Sequence, residues 1–541
     1  MLVSQVALVT GALAASLIFA PMVQAADDTP SQPTVDTSGL GSTVCKKALG
    51  VANRITVDAS GFYESGELTL NDWRVNPAAV NWQTAHPKHA IYTVVFHSAA
   101  WLIPDSPLGA GAAIDAMIEQ SRLSPDPGNQ ASDILNNAGW KESHTTKRLN
   151  TAVCLYSLAR TPEQRIGMTA VVEQLVAANL DPNRYYGPPK RKAHNHGIMA
   201  DQALSQAARY LDRPAWSAAG SRRLAAQLGE TFDSCGMTFE QSSAYHSLHI
   251  RLWDAVTRWA DPTTIERINE MLVKARQARN LMIRPDGELV RIGDGLERTY
   301  ASRTPVANDR IWCPETGWFA ATSNRNSVVQ HAVVRFGPGR DVHGHDDRGQ
   351  VVWWVGDGDT GVPVLSDRGA YKKTDLERTD YAHTSAAHST LQWAGSTGVS
   401  MKGQLRTSSS NTVVTLRSGQ RVGDWTRTIA QATNQYRLIV ADSVTSTNSL
   451  GRIVQRFTLD PIWSPQSNRS QKRAAYVTAS GWKLQVICTV DNRRVTPRNV
   501  LVEHFPARDT IENAVSIDCG TGKARTNSRL RAVLQVTPPT R

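Results

Sequence analysis

The chain is short of several things, and each shortage narrows what it can be. Only six of its 541 residues are cysteine: Cys45, Cys154, Cys235, Cys313, Cys488 and Cys519. None sits in a C-x-x-C spacing, so zinc-finger and thioredoxin-type sites are excluded. Past the N-terminus no apolar run is long enough to span a bilayer, and no stable membrane insertion of the mature chain is expected. Charged residues make up 20% and hydrophobic residues 41%, ordinary globular values that exclude collagen, coiled coil and a disordered chain. Acidic residues are the scarcer sign, 48 against 59 Lys and Arg, for a net charge of +11. That excess favours an anionic partner.

The first 26 residues carry no charge. An apolar run from Val6 to Ala20, then Pro21 and the small-residue site Val23-Gln24-Ala25, reads as a signal peptide over 1–25. A secreted, periplasmic or envelope location is therefore expected. No cysteine follows the cleavage site, which argues against a lipid anchor. Export lets the cysteines pair; Cys488 and Cys519, flanking strand-like segments, are the expected bridge, with buried free thiols the alternative.

After a Ser/Thr/Pro/Gly-rich leader (26–43), two periodicities divide the chain. Apolar residues recur at three and four positions in Gly109 to Arg122, Thr145 to Ala159, Gln164 to Leu180, Met199 to Leu211, Ser217 to Phe232, Gln241 to Trp259 and Thr263 to Ile283. Helix after helix with short connections predicts an incomplete α/α toroid of paired helices over 44–305. From about Val328 the period falls to two: His331 to Phe336, Gln350 to Val355, Thr412 to Leu416, Tyr436 to Val440, Lys483 to Thr489 and Leu530 to Val536. An antiparallel β-sandwich over 326–541 is expected, with the boundary near Thr304 to Asn326.

Three stretches carry candidate chemistry. Lys190-Arg191-Lys192-Ala193-His194-Asn195-His196 leads a basic tripeptide into a helix start, where backbone N–H groups favour an anion. Glu240-Gln241-Ser242-Ser243-Ala244-Tyr245-His246 opens a later helix, and a Tyr there needs His or cationic neighbours for acid–base work. In the β half, His343-Gly344-His345 precedes Asp367 and His388; on a strand the two histidines would share a face. Two imidazoles and a carboxylate are ligand types that Zn²⁺ accepts.

Together these residues resemble the heparinase II/III-like polysaccharide lyases, with the heparinase and alginate lyase branches matched about equally. Asn-His-Gly on one helix, Glu-x-x-Ser-x-Tyr-His on another and His-Gly-His-x-Asp entering a β domain carry the resemblance. The runs around Asp367, Arg378, Tyr381 and His388 continue it. The resemblance implies a lyase acting on an acidic uronate polysaccharide by β-elimination, with no nucleic-acid partner. It assigns Asn195 and His196 to the substrate carboxylate, Tyr245 to proton transfer and His343 to the second acid/base. Lys192, His194, Glu240, Arg378 and Tyr381 become substrate-binding, and His345, Asp367 and His388 match a zinc triad with a structural, orienting role. Two positions depart from the pattern: His194 stands where many relatives carry Asn, and Ser389 follows the last His where Asn is usual.

In that chemistry the C5 proton leaves next to a neutralised carboxylate and the C4 substituent is expelled. Tyr245 or His343 takes the proton, and Tyr245 returns one to the leaving oxygen. A glycoside hydrolase on a similar scaffold is the enzymatic rival; it needs two placed carboxylates, for which Glu240, Asp294 and Glu297 are nearest. A non-catalytic envelope glycan binder is the other. Trp73, Trp82, Trp101, Trp140 and Trp253 supply the helical half with large rings, mostly core, with one or two expected to line a sugar groove.

Overall fold

A computed structural model describes residues 44–48, 57–58, 68–70, 73–75, 90–103, 109–126, 138–295, 309–357, 360–371, 375–393, 398–418, 423–446, 451–466, 472–507, 510–521 and 526–540. The expected signal peptide and leader, Trp82 and Glu297 lie outside these residues, as does the side chain of Trp73. Three short strands, β1 (Val57–Asp58), β2 (Leu68–Leu70) and β3 (Trp73–Val75), form a small antiparallel sheet.

The helices follow: α1 (Ala90–Ser98), α2 (Gly109–Leu123), α3 (Glu142–Leu158), α4 (Pro162–Leu180), α5 (Asn195–Tyr210), α6 (Pro214–Thr231), α7 (Ser243–Val256) and α8 (Pro262–Met282). Their starts are written locally. Thr161 and Asp261 cap α4 and α8, each ahead of a proline at the first helical turn. α3, α5 and α7 pack side by side with α1 as one layer, and α4, α6 and α8 back them as an outer layer. Leu149, Val153, Val172, Leu204 and Ala207 fill one core between the layers, and Leu224, Trp253, Ile268 and Leu272 another. α1 was not legible as a helix in the sequence.

The β half opens with an antiparallel five-stranded sheet in sequential order: β4 (Asp309–Cys313), β5 (Trp318–Arg325), β6 (Val328–Arg335), β7 (Gln350–Gly356) and β8 (Gly361–Leu365). It begins ahead of the Val328 onset read from periodicity, because polar Thr322 to Asn326 and the Pro314 turn mask the alternation of β4 and β5. After α9 (Leu376–Ala382) come β9 (Leu391–Gln392), β10 (Lys402–Thr407), β11 (Asn411–Ser418), β12 (Asp424–Ala432), β13 (Arg437–Thr445), β14 (Ile453–Thr458), β15 (Ser464–Pro465), β16 (Ala474–Val477), β17 (Lys483–Val490), β18 (Arg493–Val495), β19 (Arg498–His504), β20 (Glu512–Thr521) and β21 (Asn527–Thr537). One sheet runs β10-β11-β12-β13-β21-β17-β16-β15, with β18 on β17, and another runs β19-β20-β14-β9. Alternation decides which face is buried: Leu530, Ala532, Leu534 and Val536 of β21 all enter the core.

All six cysteines are paired. Cys488 of β17 and Cys519 of β20 bridge two sheets, as expected. Cys45 is bonded to Cys154 of α3 and Cys235 to Cys313 of β4, the latter joining the helical half to the β half. Met237, Leu281, Met282, Leu289 and Ile292 pack on Trp318, Val333 and Val352 at the same junction. No described helix is long and apolar enough to cross a membrane.

Candidate active site

The fold brings the first turns of α3, α5 and α7 together. Glu142, the first residue of α3, lies 3.1 Å from His196 Nδ1 at the start of α5. The N–H of Asn195 donates to Glu240 Oε1 at 3.2 Å, just ahead of α7. Helix N-termini carry partial positive charge, so this corner of the helical domain favours anions. His194 caps α5: its Nδ1 accepts the His196 N–H at 3.1 Å. That bond places the His194 hydrogen on Nε2, so the ring presents an N–H donor. Burial pushes the His194 imidazole down to about 4 against the pull of Glu240, and the donor stays uncharged at neutral pH.

Across from these N-termini sits the loop between β6 and β7. His343 lies in a turn of this loop and His345 just after it, so the condition of a shared strand face is not met; Asp341 and Gly344 form a tight turn there. The two rings still converge, because both meet Asp294 from the end of the helical domain. His343 Nδ1 is 3.0 Å from Asp294 Oδ2, and His345 Nε2 is 3.2 Å from Oδ1. His343 Nε2 faces Glu240 Oε2 at 3.8 Å, and both atoms are buried without a hydrogen-bond partner. The half-buried Tyr245 ring stacks on His343, centroids 3.4 Å apart and 14° from parallel. Burial alone would raise the Glu240 carboxyl, but the imidazoles of His249, His343 and His194 outweigh it and hold it down to about 2. The surrounding imidazoles thus favour the charged form of Glu240.

The metal-type residues lie behind His343. His388 Nδ1 is 3.1 Å from Asp367 Oδ2, while its Nε2 faces the Ala382 carbonyl at 3.0 Å. A carbonyl only accepts, so Nε2 carries the hydrogen and Nδ1 turns its lone pair to a carboxylate. A proton or a cation must sit between them. Asp367 correspondingly holds the His388 imidazole up against its burial. The His345 ring is 5.2 Å from that of His388, and its Nδ1 is buried with no partner. The donor set fits Zn²⁺ in chemistry: two Nδ1 atoms whose Nε2 groups are held by outer acceptors, and one carboxylate.

Among the described residues, three groups place one ligand atom each within 4.8 Å of one another: His194–Glu240–His343, Asp294–His345–His383 and Asp233–Cys235–Cys313. The last is closed by its disulfide. In the first, the capping bond leaves His194 Nε2 protonated, so it is a poor ligand.

Residues 305–536 match the sequence profile described as heparinase II/III-like, C-terminal. The match covers the β half of the chain, which is similar to that family's C-terminal domain. The whole chain superposes on a mutant heparan sulfate lyase from Pedobacter heparinus with TM-score 0.66 at 13% identity, over 93% of this chain and 89% of that one. A heparinase III gives 0.68 at 15% identity over 85% and 80%, and a second heparinase III with methylated lysines 0.67 at 12% over 94% and 92%. These likenesses establish a shared fold, helical domain then β-sheets. No curated protein matches the sequence.

The remaining expected site residues fall in different places. Lys192 is exposed and donates to Asp341 Oδ2 of the β6–β7 loop at 2.6 Å, linking the helical half to that loop. Arg378 is held by Glu503 at 2.9 and 3.0 Å and by Asp375 at 2.8 Å. The Tyr381 hydroxyl donates to the Ala386 carbonyl at 3.1 Å, and the Arg368 guanidinium lies over its ring. Neither joins the Glu240–His343 cluster. Trp101, Trp140 and Trp253 are core residues. The ring that flanks the site is Tyr186, 39% exposed, 5.9 Å from both His194 and His196, with the Arg191 guanidinium 3.9 Å above it. Sequence reasoning missed Tyr186, Glu142 and His383, and had weighed Asp294 only as a hydrolase carboxylate. It quoted Gln241 without a role; its side chain joins the halves by donating to the Gly339 carbonyl at 2.8 Å and accepting from Asp341 N at 3.1 Å.

Proposed function

We propose that the protein is an exported polysaccharide lyase that cleaves a uronate-containing glycan by β-elimination. The observation that carries this reading is His343: an imidazole with a bare Nε2, stacked on Tyr245 and set between Glu240 and Asp294. The substrate carboxylate lies against the N-termini of α3 and α5, receiving donors from Asn195, His196 and the His194 Nε2–H. His343 Nε2 takes the C5 proton, and the resulting imidazolium is stabilised by Glu240 at 3.8 Å and Asp294 at 3.0 Å. The electron pair forms the C4–C5 double bond, the C4–O bond breaks, and the Tyr245 hydroxyl protonates the leaving oxygen. Tyr186, Arg191 and Lys192 supply an aromatic face and positive charge for a neighbouring acidic sugar.

The hydrolase alternative needs one carboxyl protonated at neutral pH, whereas the imidazoles around Glu240 favour its charged form. Three disulfides among the described residues favour an oxidising compartment, in line with export. Zinc on His345, Asp367 and His388 would cross-link the loop after β6 to the segments after β8 and α9. Removing it with a chelator is expected to lower the melting temperature, and activity only in proportion to folded protein. Incubation with alginate, heparan sulfate, hyaluronan and glucuronans tests the reaction itself. An ultraviolet-absorbing unsaturated uronate is expected; reducing ends without that chromophore, or binding without cleavage, would refute the lyase.

A further inference from the structure

We propose that Asp294 is the positioning residue that sets the tautomers of the metal-binding and proton-transferring histidines together, through one carboxylate shared between them. This rests on the lyase reading above and extends it to a residue with no role there beyond its charge.

Asp294 arrives from the end of the helical domain and meets three histidines of the β half. Its Oδ2 meets His343 Nδ1 at 3.0 Å, and its Oδ1 meets His345 Nε2 at 3.2 Å and His383 Nε2 at 3.3 Å. A carboxylate only accepts, so each of these nitrogens carries a hydrogen. His383 agrees independently: Arg340 Nη2 donates to its Nδ1 at 3.1 Å, which therefore has none. The consequence for His343 is a bare Nε2, the buried atom that faces Glu240. The consequence for His345 is a bare Nδ1, buried and unpartnered, on a ring 5.2 Å from that of His388. One side chain thus makes His343 a base and His345 a ligand. Exchanging either tautomer would abolish that role without moving a ring.

The backbone is built to deliver this carboxylate. The Asp294 N–H donates to the His343 carbonyl at 2.9 Å, locking the two segments edge to edge. Gly293 has φ +71°, and a Cβ on it would stand 2.5 Å from the Gln241 carbonyl oxygen and 2.7 Å from that of His343. Only glycine lets the chain pass between the start of α7 and the histidine loop.

Asp294→Asn tests the sharing. An amide has one acceptor oxygen and an NH₂ group, so it cannot accept from His343 on one side and His345 on the other. Protein purified without a His-tag is assayed for lyase kinetics on the glycan the wild type cleaves, and for zinc by elemental analysis. Expected are a fall in kcat of about a hundredfold or more with KM within a few-fold, together with loss of most of the zinc. Gly293→Ala keeps the carboxylate but displaces it, and should lose both properties likewise. An Asp294→Asn protein that keeps full zinc, or full kcat, overturns the sharing, as does wild-type protein without zinc. Because folding could fail in both variants, nitrogen NMR of histidine-labelled wild-type protein gives a direct reading. His343 protonated on Nδ1 and His345 on Nε2 are expected in the metal-free form, and the opposite tautomer at either site overturns the proposal. A wild type that cleaves no uronate glycan instead defeats the functional reading, an outcome distinguishable from all of these.

Discussion

At the scale of single residues, function depends on a few protons held in place. Tyr245→Phe keeps the ring that stacks on His343 and deletes only the hydroxyl. Loss of that acid should lower kcat by about 10²–10⁴ while leaving KM within a few-fold, read as the rate of unsaturated-uronate absorbance. Near-full activity would shift the acid elsewhere. Histidines also set a pH limit. Burial holds the half-buried His194 and the buried His246 and His504 down to about 4, below the ordinary value near 6.5. Between those values the unfolded chain binds more protons than the folded one, so stability falls as pH drops from about 6.5 towards 4 and is complete above that window. Denaturant midpoints measured across it should decline, and His246→Gln should make the decline shallower. An equal slope in that variant would remove His246 from the account.

At the scale of elements, the two helix layers divide the labour. Outer-layer starts serve stability alone: the Thr161 hydroxyl accepts from Gln164 N at 3.2 Å and touches nothing in the site. Thr161→Ala should cost about 1 kcal/mol, seen as a lower denaturant midpoint with unchanged kcat. Inner-layer starts serve both purposes, since the cap of α5 is His194 itself. His194→Asn should keep stability and most activity, because an amide can cap the helix and still present an N–H. His194→Ala should lose about 1 kcal/mol and raise KM for the acidic glycan. Equal kinetics in the Asn and Ala variants would confine His194 to capping.

At the scale of the whole molecule, the cleft exists because two halves are fastened to each other. Leu281, Met282 and Ile292 pack on Trp318 and Val333, Cys235 is bonded to Cys313, and Gln241 clamps the β6–β7 loop. The disulfides constrain the unfolded chain by different amounts. Cys45–Cys154 spans 109 residues and Cys488–Cys519 spans 31. Loop entropy alone makes the longer bridge worth about 1 kcal/mol more. Paired Cys→Ser variants compared by denaturant midpoint should show that order, and the reverse order would mean that native packing around Cys488 dominates.

The local pattern of side chains determined the element types and their order. A helix declares itself through contacts three and four residues apart and a strand through alternation, both of which lie within a short window of sequence. The Cys488–Cys519 bridge between strands and the cluster of Asn, His and Tyr at two helix starts were also legible. Tertiary structure alone decided what those residues do to one another. Whether His343 is a base depends on Asp294 and Glu240, each distant in sequence, and on distances near 3 Å that no spacing encodes. The histidine pair lies on a loop, where turn geometry and a shared carboxylate, not a pleat, bring its rings together. Tyr186 flanks the site while Trp101, Trp140 and Trp253 fill the core. Burial is a property of the packed whole, and a ring carries no sign of it in its own position along the chain.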